Sequence, residues 1–120
     1  MLMAILAAAL GADHTKDTLD EVKKNLADGK AVLLDVREDG EWQAGHLKDA
    51  KALPLSRIKA GVTAAELEKL APAGKAIYLH CAAGMRCAKA ADLLKPLGRD
   101  LRALKPGYED LLKAGLPKAP

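Results

Sequence analysis

The sequence predicts an α/β domain with a mostly parallel central sheet flanked by helices on both faces. Three observations carry this expectation. Residues 31–34 (Ala-Val-Leu-Leu) and 76–79 (Ala-Ile-Tyr-Leu) are short continuous apolar runs. They lack the alternation of a half-exposed strand and suit a sheet covered on both sides. Helical stretches open on Thr residues followed three positions later by Glu, a helix-start signature. Strand and helix signals also alternate along the chain, as parallel sheets with crossover helices require.

The first helix is expected over 15–27. Thr18 and Glu21 form a capping-box pair, Leu19, Val22 and Leu26 share one face, and Asp28-Gly29 ends it. Strand 31–34 follows and runs into Asp35-Val36-Arg37. A polar stretch with Trp42 and Gly45-His46 carries no assigned element. Residues 50–53 give a short, weak strand before Pro54. Residues 63–70 form a second capped helix, with Thr63 and Glu66 as its box, broken by Ala71-Pro72-Ala73-Gly74. Then come strand 76–80, a cysteine loop, helix 86–96 closed by Gly98, strand 101–104, and a last helix 108–114 after Pro106-Gly107.

The chain has 120 residues, enough for one domain. Half are hydrophobic, but many of these are alanine, and aromatics are 2% with no Phe. Leu, Val and Ile must therefore form a small, tight core. Net charge is +3, with lysines scattered among acids. Without a basic cluster or an aromatic stacking platform, no nucleic-acid partner is expected. Cys81 and Cys87 are too few for a disulfide framework, and His14, His46 and His80 are too dispersed for a metal site. No cofactor and no metal are expected. Residues 1–12 form an apolar segment ahead of a domain at 13–120. The segment resembles the hydrophobic region and cleavage zone of a secretory signal but lacks a basic start, and it is too short to span a bilayer. Two readings stay open: a signal remnant on a periplasmic or secreted protein, or an apolar arm on a cytoplasmic one. Neither involves membrane insertion.

The chemistry concentrates at Cys81-Ala82-Ala83-Gly84-Met85-Arg86, between an apolar strand and a helix beginning near Cys87. A cysteine at a strand-to-helix turn faces unpaired backbone N–H groups and the positive end of the helix dipole. Both push a thiol toward thiolate. Gly84 can adopt a backbone conformation closed to other residues, so several N–H groups can converge on one point. Arg86 adds a positive charge. A lone cysteine beside an ordinary turn is more often structural; strand, Cys, Gly, Arg and helix in this order favour a reactive thiolate. The expected site is beyond the carboxyl end of a central strand.

From Thr15 to the C-terminus the chain resembles a single-domain rhodanese-like sulfurtransferase. The carrying residues are 31–37 (Ala-Val-Leu-Leu-Asp-Val-Arg), Glu41-Trp42, Gly45-His46-Leu47, Leu53-Pro54-Leu55, the Cys81–Arg86 hexapeptide, and 104–108 with 114–117. The resemblance implies that Cys81 takes a sulfane sulfur from a donor such as thiosulfate and passes it, as a persulfide, to cyanide, a small thiol or a protein thiol. It implies an anion-binding loop of Ala82, Ala83, Gly84, Met85, Arg86 and Cys87. It also implies supporting roles for Asp35 (holding the loop through backbone N–H groups), for an Arg37–Glu41 ion pair, and for His46, in a monomer. The chain departs from the family at Ala82, where thiosulfate-using members are often basic, at Leu47-Lys48-Asp49, at Pro106 and at Leu111.

Three rival readings use the same residues. A phosphatase or arsenate-reductase-like enzyme of this fold needs a loop one residue longer than the four residues between Cys81 and Arg86. A dithiol redox protein would use Cys87 to resolve Cys81, across a loop that must stay curled; Cys87 suits the role of a small apolar residue in the first helical turn better. A non-catalytic sulfur-carrier or binding module on the same fold is disfavoured by the intact Cys81 and Arg86. His80 could act as a base, but strand alternation sends it to the face opposite Cys81. Trp42 and His46 suit loop packing better than catalysis.

Overall fold

The computed structural model describes residues 12–120; the reading of the apolar start concerns residues 1–11, outside that range, together with Ala12. Helix α1 (Leu19–Ala27) begins at Thr18, whose side chain accepts from the Glu21 amide while Glu21 reaches back. The capping box therefore places the helix start at 19 rather than 15. Val22 is fully buried against the sheet. Strand β1 (Ala31–Asp35) follows, then helix α2 (Asp39–Ala44), strand β2 (Ala50–Ala52), and helices α3 (Leu55–Ala60) and α4 (Ala64–Leu70). Strand β3 (Ala76–His80), helix α5 (Met85–Leu94), a 3₁₀ turn (Lys95–Leu97), strand β4 (Leu101–Ala103) and helix α6 (Tyr108–Lys113) complete the order. Helices α2 and α3 stand where no element was expected. At six residues each, neither is long enough to display a periodic apolar face.

The four strands are all parallel, in the order β2-β1-β3-β4. The chain leaves β1 toward one edge and β3 toward the other, so the connections diverge between these two central strands. Ligand crevices of open α/β sheets form at such a point, beyond the carboxyl ends. Asp35 and His80, the last residues of β1 and β3, are register partners there. Cys81 is the next residue.

Each face of the sheet has its own core. One holds Leu34, Ile77, Leu79, Cys81 and Cys87 with Leu55 and Ile58 of α3, Leu67 of α4 and Ala90, Ala91 and Leu94 of α5. The other holds Leu33, Tyr78 and Leu104 with Val22 of α1 and Tyr108 and Leu111 of α6. Strand alternation thus puts Ile77, Leu79 and Cys81 together and turns Tyr78 away from them. Alanines on the buried face of α5 let that helix lie close to the sheet, which suits a core with few aromatics. Tyr78, the largest fully buried side chain, donates its hydroxyl to Asp17 (2.6 Å) and accepts from Asn25 (2.9 Å). No helix among the described residues is long and apolar enough to cross a membrane.

Candidate active site

Cys81 lies one residue past β3 and is 1% exposed. Its Sγ accepts from the Gly84 amide at 3.1 Å and the Cys87 amide at 3.4 Å. This curl depends on Gly84, whose φ of 87° is left-handed and strained for any L side chain. A Cβ there would also stand 2.6 Å from the Lys105 carbonyl oxygen. Gly84 caps α5, so the amides of Met85 and Arg86, in the first helical turn, have no intrahelical acceptor and remain available to a ligand.

The sulfur is held as an anion. Its pKa falls from the ordinary cysteine value to about 5. The main cause is the Cys87 thiol beside it, followed by the backbone donors of Cys87, Ala83 and Gly84, which together outweigh the burial that opposes ionisation. The Cys87 sulfur also lies 3.2 Å from the carbonyl oxygens of Gly84 and Leu104, alternative acceptors for its one proton. The anion next door and burial both push Cys87 strongly upward, so it stays a neutral donor. The pair is thus one thiolate and one thiol. The rate of Cys81 alkylation should rise as pH passes about 5 and level off above it. A midpoint at or above the free-cysteine value of about 8.5 would contradict this picture.

The segment after β4 forms the other wall. The Tyr108 amide donates to the Cys81 carbonyl at 2.9 Å, and the Leu104 amide to Leu79. Gly107 touches the loop so closely that a Cβ would sit 1.7 Å from the Ala82 carbonyl oxygen. Pro106-Gly107 signals a turn in the sequence, but a backbone-to-backbone approach across 25 positions leaves no local signal. Ala82, Ala83 and Met85 are exposed at the rim, Met85 to 80%.

The supporting residues arrange themselves differently from what the family resemblance implied. Arg37 does not pair with Glu41. Its guanidinium binds the buried Asp35 carboxylate at 2.8–3.1 Å, donates to the Gly45 carbonyl at 2.8 Å and lies 4.0 Å above the Tyr108 ring. Asp35 also accepts from the Arg37 amide (2.9 Å), so its carboxylate is taken by Arg37 rather than by the amides of the cysteine loop. The reason is burial: Arg37 is 5% exposed and needs the nearest buried anion, which is Asp35 at 1%. Glu41 is left to grip Arg86 through two bonds of 2.6 and 2.9 Å. That bidentate contact holds the Glu41 carboxyl down to about 2 and raises Arg86. The charge of Arg86 is therefore balanced, and the pair ties α2 to α5 at the rim.

His46 stacks on Trp42 with centroids 3.6 Å apart and donates from Nδ1 to the Trp42 carbonyl at 2.9 Å. His80 is fully buried beside Asp35 (3.6 Å) and faces Tyr108. Burial, its largest influence, lowers its pKa and keeps it neutral. A cleft of about 380 Å³ lies between α1 and the C-terminal segment and borders none of the cysteine loop.

Comparison with known proteins places this arrangement in a family. A human single-domain sulfurtransferase has the same fold, with a TM-score of 0.67 and 28% identity over 86% of this chain and 97% of that one. An uncharacterised Bacillus subtilis protein is 28% identical over 109 residues, 90% of this chain and 82% of its own length. A probable adenylyltransferase/sulfurtransferase of Mycobacterium tuberculosis is 34% identical over 92 residues, 76% of this chain but 22% of that protein. The profile of the rhodanese-like domain matches residues 18–114, from the cap of α1 to the end of α6. The chain belongs to the rhodanese-like domain family.

Proposed function

We propose that this protein is a sulfurtransferase that moves a sulfane sulfur from a donor such as thiosulfate to cyanide or a thiol through a persulfide on Cys81. The observation that carries the reading is the ring of amides around a sulfur ionised near pH 5: Gly84 at 3.1 Å and Cys87 at 3.4 Å. In the first step the Cys81 thiolate attacks the outer sulfur of thiosulfate. An S–S bond forms to Cys81, the S–S bond of the donor breaks, and sulfite leaves with the electron pair. The enzyme now carries Cys81–S–S⁻. The first-turn amides of Met85 and Arg86, which lack intrahelical acceptors, would stabilise the charge on the outer sulfur. In the second step cyanide or a thiolate attacks that sulfur, and Cys81 leaves as a thiolate. A thiol that ionises near 5 is a good leaving group, while its nucleophilicity falls only partly with its basicity.

The narrow loop favours sulfur over phosphate. Four residues separate Cys81 from Arg86, and Arg86 is engaged by Glu41. A phosphoester presents three oxygens and needs a wider ring of donors. The protein should form thiocyanate from thiosulfate and cyanide and should not hydrolyse p-nitrophenyl phosphate. Phosphatase activity without thiocyanate formation from any sulfane donor would reverse the assignment.

A further inference from the structure

One contact to the cysteine loop comes from outside the family-matched residues 18–114. Residues 12–15 lie beside β4 and α5. His14 bridges to Ala103, the Thr15 amide donates to the Ala103 carbonyl at 2.7 Å, and the Ala12 amide donates to the Ala88 carbonyl at 3.3 Å. From this position His14 Nε2 reaches the Gly84 carbonyl oxygen at 2.6 Å. A carbonyl only accepts, so Nε2 carries the proton.

The Gly84 carbonyl is the capping carbonyl of α5. At the other five α-helices among the described residues the equivalent oxygen accepts from the amide four residues on: Val22 to Thr18, Trp42 to Glu38, Ile58 to Pro54, Leu67 to Thr63, and Leu111 to Gly107. At α5 it meets two side-chain donors, His14 Nε2 at 2.6 Å and Cys87 Sγ at 3.2 Å. In a trans peptide the C=O and the following N–H point in opposite directions. Anchoring the Gly84 oxygen therefore also fixes the Met85 N–H, which points the opposite way within the same peptide plane. The same anchor limits rotation at Gly84, the left-handed residue whose own amide binds Cys81 Sγ.

We propose that His14 is a positioning residue of the active site, a donor from the segment before the family domain that sets the Gly84–Met85 peptide so that its amide faces the reacting sulfur. It touches neither the sulfur nor a substrate and acts through Gly84. Its consequence for turnover rests on the sulfurtransferase reading; its consequence for the thiolate does not.

The test uses the full chain with His14→Leu and His14→Gln. Glutamine keeps an N–H at the same reach without the ring. His14→Leu should move the midpoint of Cys81 alkylation upward by about half a pH unit to one unit and lower thiosulfate turnover about tenfold, in kcat rather than KM, the scale of one lost hydrogen bond. His14→Gln should stay within about twofold of the parent in both. Unchanged alkylation and turnover in His14→Leu would overturn the proposal. So would equal losses in the leucine and glutamine variants, since packing alone would then explain the effect. A parent chain that takes sulfur from no donor, but whose alkylation midpoint still shifts in His14→Leu and recovers in His14→Gln, would remove the sulfurtransferase reading and leave the positioning role standing.

Discussion

Cys81→Ser should abolish sulfur transfer, by at least about a thousandfold, while Cys87→Ser should keep activity within about tenfold of the parent. The two cysteines sit in one ring but in opposite states. Cys81 is drawn down to about 5 by the Cys87 thiol and by backbone donors, whereas Cys87 is pushed far up by the anion it faces. A serine at 81 keeps the shape and loses the ionisable sulfur, so no persulfide can form. A serine at 87 keeps a donor directed at the carbonyls of Gly84 and Leu104, where the thiol now lies at 3.2 Å. Equal and severe losses in both variants, measured as thiocyanate formation, would favour a dithiol mechanism in which Cys87 resolves Cys81.

Gly107→Ala should be the most damaging Gly→Ala change among the described glycines. Its φ of −86° is open to any residue, so the obstacle is not backbone conformation but space. The added carbon would stand 1.7 Å from the Ala82 carbonyl oxygen and 2.4 Å from its carbon. Both partners are main chain, and neither can swing aside without moving the cysteine loop. The expected cost is about 3 kcal/mol or more, a fall in Tm of about 10 °C or more. The displaced loop should also lose part of its grip on Cys81, so the alkylation midpoint should rise. Gly40→Ala is the matching control. It lies within α2 with nothing near its Cβ position, and alanine there should be neutral or slightly stabilising. Similar Tm values for Gly107→Ala and Gly40→Ala would refute the close approach.

What the sequence revealed and what it concealed divide along the range of the interactions. Thr18 with Glu21, and Thr63 with Glu66, are pairs three residues apart, so both helix starts can be located from the chain itself. The buried strands are visible because a sheet covered on both faces leaves apolar runs at 31–34 and 76–79. The anion-binding turn is also local: strand, Cys81, left-handed Gly84 and helix lie within seven consecutive residues. The short helices α2 and α3 lacked such a signal. The first is capped by Glu38 with Glu41, a pair without the usual Ser or Thr, and the second starts on Pro54 with no side-chain cap.

The supporting shell was hidden for a related reason. Charge pairing depends on burial, and burial is a tertiary property. Arg37 turns back on Asp35, two positions away, and Glu41 crosses to Arg86, 45 positions on. His14 and Gly107 reach the loop from separations of 70 and 25 positions, through a carbonyl and a bare Cα that carry no motif.

Intact-mass spectrometry after incubation with thiosulfate tests the central claim most directly, because it asks whether sulfur is taken up at all. The chain should gain about 32 Da, one sulfur atom held as a persulfide, and lose it on addition of cyanide or dithiothreitol. Cys81→Ser should gain nothing, and Cys87→Ser should gain the same mass as the parent. A parent chain that stays at its unmodified mass with thiosulfate and with every other sulfane donor, or that takes up sulfur equally well without Cys81, would contradict the account.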